Sequence, residues 1–348
     1  MRLQQLLGTE LPIIQAPMAG VQGSALAIAV CEAGALGSLP CAMLGLEAIG
    51  QELTAIRAGT RRPYNVNFFC HTPPQPDAGR EAAWRAALAP YFAEHGIDGA
   101  AIPAGAGRNP FSAEAAQVLE EFKPPVVSFH FGLPPAQLLA RVRGWGAKVL
   151  CSATTVEEAL WLERAGVDAI IAQGLEAGGH RGVFLTDDIS TQVGTFALLP
   201  QVVKAVKVPV IAAGGIADAA GVAAAMALGA AGVQVGTAYL LCPEATTTAL
   251  HRAALASEAA RTTALTNLFT GRPARGIVNR LMREIGPISS AAPAFPLATA
   301  AIAPLRAKAE AAGSGDFSPL WSGQNASGCK AVPAAQLTRE LAAGLPQP

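Results

Sequence analysis

Short apolar runs recur along the chain, and each is followed by a glycine or hydroxyl residue and then by an alanine- and leucine-rich segment of helical length. The pattern predicts eight strands, at 12–16, 36–39, 64–68, 126–129, 148–152, 168–172, 208–213 and 232–235. Because these runs are continuous rather than alternating, both faces of each strand should be buried, as in a parallel sheet covered by helices. Eight such units predict an α/β fold of the TIM (β/α)8 barrel type.

An open doubly wound sheet is the alternative fold. Such a sheet opens its first unit with a glycine fingerprint that binds a dinucleotide. The segment Gly20-Val-Gln-Gly23 is only a weak form of that fingerprint. The barrel is therefore the preferred prediction.

Capping signals locate the helices between these strands. Thr155 stands three residues before Glu158, which predicts a capping box, and the helix should end at Gly166, where a left-handed backbone costs a glycine little. By the same reasoning Ser24 should cap the first barrel helix, which closes at Gly34.

The chain of 348 residues exceeds the roughly 250 that a barrel needs. We therefore divide it into a barrel over 1–242, a helical cap over 243–312 and a C-terminal segment over 313–348 that returns to the barrel. Residues 70–120 lengthen the connection between the third and fourth strands and form an insertion in the barrel.

Charge and cysteine content narrow the function classes. The formal net charge is zero and no run of lysine or arginine occurs, so neither a nucleic acid nor an anionic membrane is an expected partner, and a small-molecule substrate is favoured. The six cysteines form no metal-binding spacing, so we expect no metal site and reduced thiols. The N-terminus does not resemble a signal peptide, which predicts a cytoplasmic protein. We expect this protein to be a monomer or a homodimer.

Glycine-containing loops follow the seventh and eighth strands, where barrels often bind phosphate. Gly214 and Gly215 come after the seventh strand, and Gly236 and Thr237 after the eighth. Glycines allow backbone N–H groups to approach an anion closely. Tight turns alone would explain either pair, but their joint position favours a phosphate site.

His180 is the strongest candidate for chemistry. It lies in the glycine-rich segment 173–182 after the sixth strand, which is a poor environment for a packed core histidine. Imidazole titrates near neutral pH and so suits proton abstraction from carbon or polarisation of an anionic oxygen. Zinc bound by Glu176 and His180 is disfavoured because no second histidine or cysteine ligand is near in sequence.

Three further residues lie at strand ends on the same rim. His130 follows the fourth strand, and contact with the substrate and a hydrogen bond to the barrel wall are similarly plausible interpretations. Asn67 ends the third strand and offers the donor and acceptor needed to read a flavin edge, although a strand-end turn would also explain it. Met18 follows the first strand and would either stack on a flat ring or fill the core.

These segments together resemble one family. QAPMAG, NVNFF, SFHFGLP, QGLEAGGHRG, VIAAGGIAD, VQVGTAYL and WSGQNA occur in the order found in class I nitronate monooxygenases, formerly called 2-nitropropane dioxygenases, from about Leu11 to about Ala326. The resemblance implies an FMN-dependent oxidoreductase that converts alkyl nitronates such as propionate 3-nitronate, with O2, into a carbonyl compound and nitrite. It does not imply a nicotinamide cofactor.

The same resemblance assigns residues to the coenzyme and the substrate. His180 would be the catalytic histidine and His130 would lie by the substrate. The residues predicted to bind FMN are Met18, Asn67, Gln173, Gly178, Gly214, Gly215, Gln234, Val235, Gly236 and Thr237. Arg272, Arg275 and Asn279 are candidates for cap residues that set specificity.

Two related barrels remain as rivals, the flavin-type enoyl-acyl-carrier-protein reductase and an NADH:quinone reductase, because they share the EAGGH, AAGGIAD and VQVGT series. The FHFG segment and the cap ending in WSGQNA favour the monooxygenase. From a different class, a flavin-binding or metabolite-sensing barrel without turnover is also possible, since a barrel fold does not determine function.

Overall fold

The computed structural model describes residues 2–103 and 108–346. Eight parallel strands form one sheet in the order β1-β9-β8-β6-β5-β4-β3-β2. They are β1 (Ile13–Gln15), β2 (Gly37–Pro40), β3 (Tyr64–Phe69), β4 (Val126–His130), β5 (Lys148–Ala153), β6 (Ala169–Gln173), β8 (Val210–Ala213) and β9 (Gly232–Val235), with the two-residue β7 (Gly179–His180) outside this sheet. A parallel bridge between Ile14 and Leu36 joins the two edge strands and closes the barrel.

The barrel prediction is confirmed, and every strand lies within two residues of its predicted position. The helices are α1 (Leu3–Leu7), α2 (Ser24–Glu32), α3 (Leu46–Gly59), α4 (Ala78–Glu94), α5 (Ala113–Phe122), α6 (Ala136–Gly144), α7 (Val156–Arg164), α8 (Thr195–Ala205), α9 (Ala219–Ala227), α10 (Ala249–Leu255), α11 (Arg280–Glu284), α12 (Thr299–Ala311) and α13 (Ala334–Ala342). All eight barrel strands are buried along their whole length or at all but one position, as expected for strands packed on both faces. No helix in the described ranges is long and apolar enough to cross a membrane.

The helix termini show one correct and one wrong capping prediction. Thr155 caps α7 by accepting a hydrogen bond from the N–H of Glu158 at 3.2 Å, although the Glu158 carboxylate turns to Thr154 instead of completing the box. Ser24 does not cap α2, because Gly23 occupies the N-cap position. A carboxylate from the next helix, that of Glu52, accepts the Ser24 N–H at 2.6 Å and replaces the local cap.

The segment over 243–312, which the sequence predicts to be a helical cap, is not helical throughout. This segment contains the antiparallel pair β10 (Thr263–Thr266) and β11 (Ala274–Ile277) as well as helices. Strand β11 also pairs with β7, which places Ala274 opposite His180. A three-stranded sheet therefore ties the segment that carries His180 to the residues above the barrel mouth.

The insertion and the cap share a second hydrophobic core. Trp84 of α4 is buried, and its indole N–H donates to the carbonyl of Ala298 at 3.3 Å. Apolar side chains of α4, α11 and α12 pack with it into one cluster. The division of the chain at 242 and 312 stays a prediction, and this cluster spans both boundaries, since it contains Trp84, Leu281 and Phe317.

The eighth helix of the barrel comes from the C-terminus. After β9 the chain makes the whole cap before α13 packs between α2 and α9. The Tyr239 hydroxyl lies 2.9 Å from that of Thr338, which joins the residues after β9 to α13. The residues between the cap and α13 must therefore pass over the barrel mouth.

Candidate active site

One cavity opens at the carboxyl ends of the barrel strands, under the cap. Eleven of the twelve predicted site residues line it, and they are Met18, Asn67, His130, Gln173, Gly178, His180, Gly214, Gly215, Gln234, Gly236 and Thr237. Val235 does not line the cavity, because it faces the hydrophobic core and is 1% exposed. Its side chain is therefore excluded from direct contact with an occupant.

The glycine loops after β8 and β9 present unused backbone donors. Gly214 and Gly215 have φ values of 112° and 76°, which a side chain would strain. The N–H groups of Gly214, Gly215 and Gly236 donate to no other described residue. Such N–H groups in glycine loops at the end of a parallel barrel form a site for a phosphate.

The residues before α13 bind across the same rim. The N–H of Gly323 donates to the Thr237 hydroxyl at 2.9 Å, and the Asn325 side-chain amide donates to the carbonyl of Gly215 at 3.1 Å. The Gln324 N–H donates to the carbonyl of Glu176 at 2.9 Å. This tail, residues 321–325, thus connects three loops that are distant in sequence.

His180 projects from β7 into the cavity. Its Nε2 lies 2.9 Å from the Thr270 hydroxyl, while Nδ1 makes no hydrogen bond to a described residue. Burial, followed by the positive charge of Arg108, lowers the pKa of His180 well below its usual value. The imidazole is therefore neutral at neutral pH and one ring nitrogen is available to a ligand.

His130 is held by the protein at both ring nitrogens. Nδ1 lies 3.0 Å from the Ser152 hydroxyl and Nε2 lies 3.1 Å from the carbonyl of His180. Burial lowers its pKa to about 4. This geometry favours the barrel-wall interpretation of His130, which supports the backbone of His180 from below.

Gln173 and Asn67 also use their amides within the protein. The Gln173 amide donates to the carbonyl of His180 at 3.0 Å and accepts the N–H of Gly182 at 2.7 Å, so it fixes the end of β7 and the residues that follow it. The Asn67 amide donates to the Ser128 hydroxyl at 2.9 Å and leaves its own oxygen without a described donor. Asn67 can therefore still accept a hydrogen bond from a ligand.

A buried polar network holds the His180 loop to the barrel. The fully buried Arg181 donates to the carbonyls of Gln173 and Gly174, both at 2.7 Å, and to the Gln192 side chain at 2.9 Å. The Gln192 amide donates to the Thr154 hydroxyl at 2.9 Å. The network ends at Glu158, a 0% exposed carboxylate on α7.

Several residues of the cavity were not found from the sequence. Arg108, His251, Trp321 and Asn325 line it, but they belong to the insertion, the cap and the tail. WSGQNA carried a signal for Trp321 and Asn325, whereas Arg108 and His251 stand in segments without a motif.

The cap candidates Arg272, Arg275 and Asn279 do not line the cavity. Arg275 donates to the carbonyl of Leu175 at 2.9 Å, and Asn279 donates to that of Ser318 at 3.0 Å. Arg272 covers the ring of Phe131, with its guanidinium carbon 4.1 Å from the ring centroid. In the described ranges no group of three or more His, Cys, Asp or Glu side chains could hold a metal ion.

A closed parallel barrel with a histidine and glycine loops that carry free N–H groups at the strand ends is typical of a TIM-barrel enzyme site. Comparison with known proteins gives the family. The sequence model described as nitronate monooxygenase matches residues 1–344. The chain belongs to the nitronate monooxygenase family and is an oxidoreductase.

Individual relatives agree with this assignment. The chain is 45% identical to the nitronate monooxygenase of Paraburkholderia phytofirmans, over 99% of this chain and 95% of that protein. It is 43% identical to the nitronate monooxygenase of Pseudomonas aeruginosa, over 98% of this chain and 97% of that protein.

Two solved structures differ in how similar they are to this chain. Nitroalkane oxidase of Streptomyces ansochromogenes superposes with a TM-score of 0.89 at 41% identity, covering 98% of this chain and 96% of that chain. FabK of Thermotoga maritima superposes with a TM-score of 0.73 at 28% identity, covering 97% and 94%. The chain is thus more similar to the nitroalkane-oxidising enzyme than to the latter protein.

Proposed function

We propose that this protein is an FMN-dependent nitronate monooxygenase that converts alkyl nitronates, with O2, into a carbonyl compound and nitrite, and so detoxifies nitroalkanes. The observation that carries the proposal is the neutral His180 imidazole with Nδ1 unbonded, in one cavity with the glycine loops after β8 and β9. The relatives named for this activity cover nearly the whole chain.

The residues of the cavity fit FMN. The free N–H groups of Gly214, Gly215 and Gly236 would bind the phosphate, and their loops carry no acidic side chain into the cavity that would repel it. The Gln234 Oε1 is buried without a hydrogen-bond partner in the described ranges, and a ribityl hydroxyl would satisfy it. Asn67 would bind the edge of the ring system and Met18 its face, while Gly178 would allow the tail to lie close.

The flavin, when bound, supplies the electron transfer that couples the nitronate to O2. The protein binds and orients the substrate. With Nε2 directed at Thr270, Nδ1 of His180 can donate to a nitro oxygen when it carries the ring proton, or take the α-proton of a neutral nitroalkane when it does not. His130 and Gln173 both bind the carbonyl of His180 and hold the imidazole in place.

A nitronate is already an anion, so it needs no base before it reacts. The role of His180 as a base is therefore expected only for neutral nitroalkanes. This difference gives a test that separates binding from proton transfer.

The test compares His180→Asn with wild-type protein on nitroethane and on its nitronate. Loss of the base should lower turnover of nitroethane about 100- to 10,000-fold, the range of general base catalysis. Turnover of the nitronate should fall less, and the FMN content should not change. His95→Asn is the matched control, because His95 ends α4 outside the cavity. Equal losses on both substrates, or none, would contradict the assigned role.

An enoyl or quinone reductase remains the alternative activity. Rapid anaerobic bleaching of the bound flavin by NADH would support a reductase, and slow bleaching together with nitrite release would support the monooxygenase. The cytoplasmic location, the monomeric or homodimeric state and the use of O2 stay predictions.

A further inference from the structure

Arg108 places a cation in the cavity on the side opposite the glycine loops. It lies in the connection between β3 and β4, whereas those loops follow β8 and β9, across the barrel. Its guanidinium carbon lies 5.7 Å from the centroid of the Phe295 ring. The Phe295 ring in turn lies 5.3 Å from the imidazole of His180, so one aromatic ring separates the two groups.

Among the residues that the structure describes, the guanidinium of Arg108 has no anionic partner. Its Nη1 is buried, and the side chain makes no hydrogen bond to a described residue. None of the described residues that line the cavity is an aspartate or a glutamate. The neighbouring residues 104–107, Ala-Gly-Ala-Gly, contain no acidic side chain either.

Other arginines around the site do have acceptors. Arg306 forms an ion pair with Glu310 at 2.7 Å, and Arg272 donates to the carbonyl of Val183. A buried cation without a partner is costly, and proteins keep such a group where a ligand supplies the opposite charge. The planar guanidinium fork matches a carboxylate, to which it can donate two parallel hydrogen bonds.

The backbone and surroundings of Arg108 are fixed. The carbonyl of Arg108 lies 3.0 Å from Nε2 of His71, and the His71 ring lies 4.8 Å from that of Phe295. Phe69 and Phe131 complete an aromatic wall with Phe295. Phe69 of this wall lines the cavity, so a ligand between His180 and Arg108 contacts an apolar ring along its middle and hydrogen-bonding or cationic groups at its ends.

We propose that Arg108 is a specificity-determining residue that binds a carboxylate at the end of the substrate remote from the nitronate. The site would then select short nitronates that carry a terminal carboxylate over neutral ones of the same size. This inference rests on the proposed function and assigns its substrate preference to a single side chain.

The kinetic test uses two nitronates of nearly equal shape, propionate 3-nitronate and the nitronate of 3-nitropropanamide, with the FMN-loaded protein. Arg108→Met should lower kcat/KM for the carboxylate substrate about 30- to 100-fold, mainly through KM, since truncation leaves a desolvated charge unpaired. The amide substrate should change less than about threefold. Arg108→Lys keeps the charge without the fork, so its loss should be intermediate.

Arg306→Met is the control, because it removes a nearby positive charge that is already paired and does not line the cavity. It should leave the preference for the carboxylate substrate unchanged. If Arg108→Met lowers both substrates equally, or neither, the inference is overturned while the proposed function stands.

A binding test separates the inference from the activity. Succinate resembles propionate 3-nitronate with a second carboxylate in place of the nitronate. Butyrate has the same chain length but only one carboxylate. Calorimetric titration of the FMN-loaded protein should show succinate binding more tightly than butyrate in wild type, and Arg108→Met should abolish that difference. Equal affinities in wild type would overturn the role of Arg108. Absence of nitrite from either nitronate would instead refute the proposed function.

Discussion

The buried carboxylate of Glu158 gives the sharpest stability prediction. Its Oε2 accepts the N–H and hydroxyl of Thr154 at 2.7 and 2.8 Å, and its Oε1 accepts the N–H groups of Phe184 at 2.6 Å and Leu185 at 3.2 Å. Four donors thus depend on one side chain that is 0% exposed. Two of them lie just beyond His180, so Glu158 ties α7 to the active-site loop.

Glu158→Gln should destabilise the protein although its shape is almost unchanged. A glutamine has one acceptor oxygen, so its NH2 group must face one of the two donor pairs. The Thr154 donors are buried, whereas those of Phe184 and Leu185 are only partly buried. An unsatisfied buried donor costs about 1–3 kcal/mol, so the free energy of unfolding should fall by at most about 2–6 kcal/mol, and by less if the partly buried pair loses its acceptor. The assay is urea denaturation followed by circular dichroism, with the slope checked for two-state behaviour.

Glu163→Gln is the matched control on the same helix. Two backbone N–H groups, from Lys207 and Val208, both donate to its Oε1, an acceptor that glutamine keeps, and the side chain is only partly buried. We expect a loss below about 1 kcal/mol for this variant. If Glu158→Gln costs no more than Glu163→Gln, the reasoning from buried donors is refuted.

Three further predictions follow from the site. Thr270→Val should lower kcat on nitroethane about tenfold with little effect on stability, because His180 loses the hydroxyl that fixes its tautomer; an unchanged kcat would contradict this. Burial lowers the pKa of His251 to about 4, so the unfolded chain binds its proton first and stability falls as the pH drops below about 6.5. Between pH 7 and pH 5 the free energy of unfolding, measured by urea titration, should fall by about 2 kcal/mol more in wild type than in His251→Gln. An equal fall in both proteins would refute the prediction. Gly178→Ala would place a methyl group 2.5 Å from the backbone nitrogen of Gly323, so it should lower stability by about 1–3 kcal/mol and weaken FMN binding; a variant with wild-type thermal stability and FMN affinity would count against the packed tail.

The barrel could be predicted because its strands are buried on both faces, which leaves a local record of continuous apolar runs such as that of β5. The cap strands left no such record. Strand β7 has two residues, Gly179 and His180, and it forms only because β11 pairs with it. The place of the closing helix α13 between α2 and α9 also left no local record, since it depends on contacts across the whole chain.

The site residues likewise divide into those that a local sequence pattern reveals and those that depend on contacts distant in sequence. Gly214 and Gly215 could be predicted because the backbone requirement of a phosphate loop is local. Arg108 could not, because nothing near it in sequence shows that its guanidinium enters the cavity. Ser24 shows the opposite error, since a good local cap is replaced by Glu52 from another helix.

The proposed function requires that the coenzyme and the substrate bind together at the rim of the barrel. The most direct measurement is nitrite release from ethyl nitronate by protein reconstituted with FMN, followed together with O2 consumption. We predict a yellow protein that releases one nitrite for each nitronate consumed, without NADH. A protein that takes up no FMN, or a yellow one that releases no nitrite and is instead rapidly bleached by NADH, would contradict it.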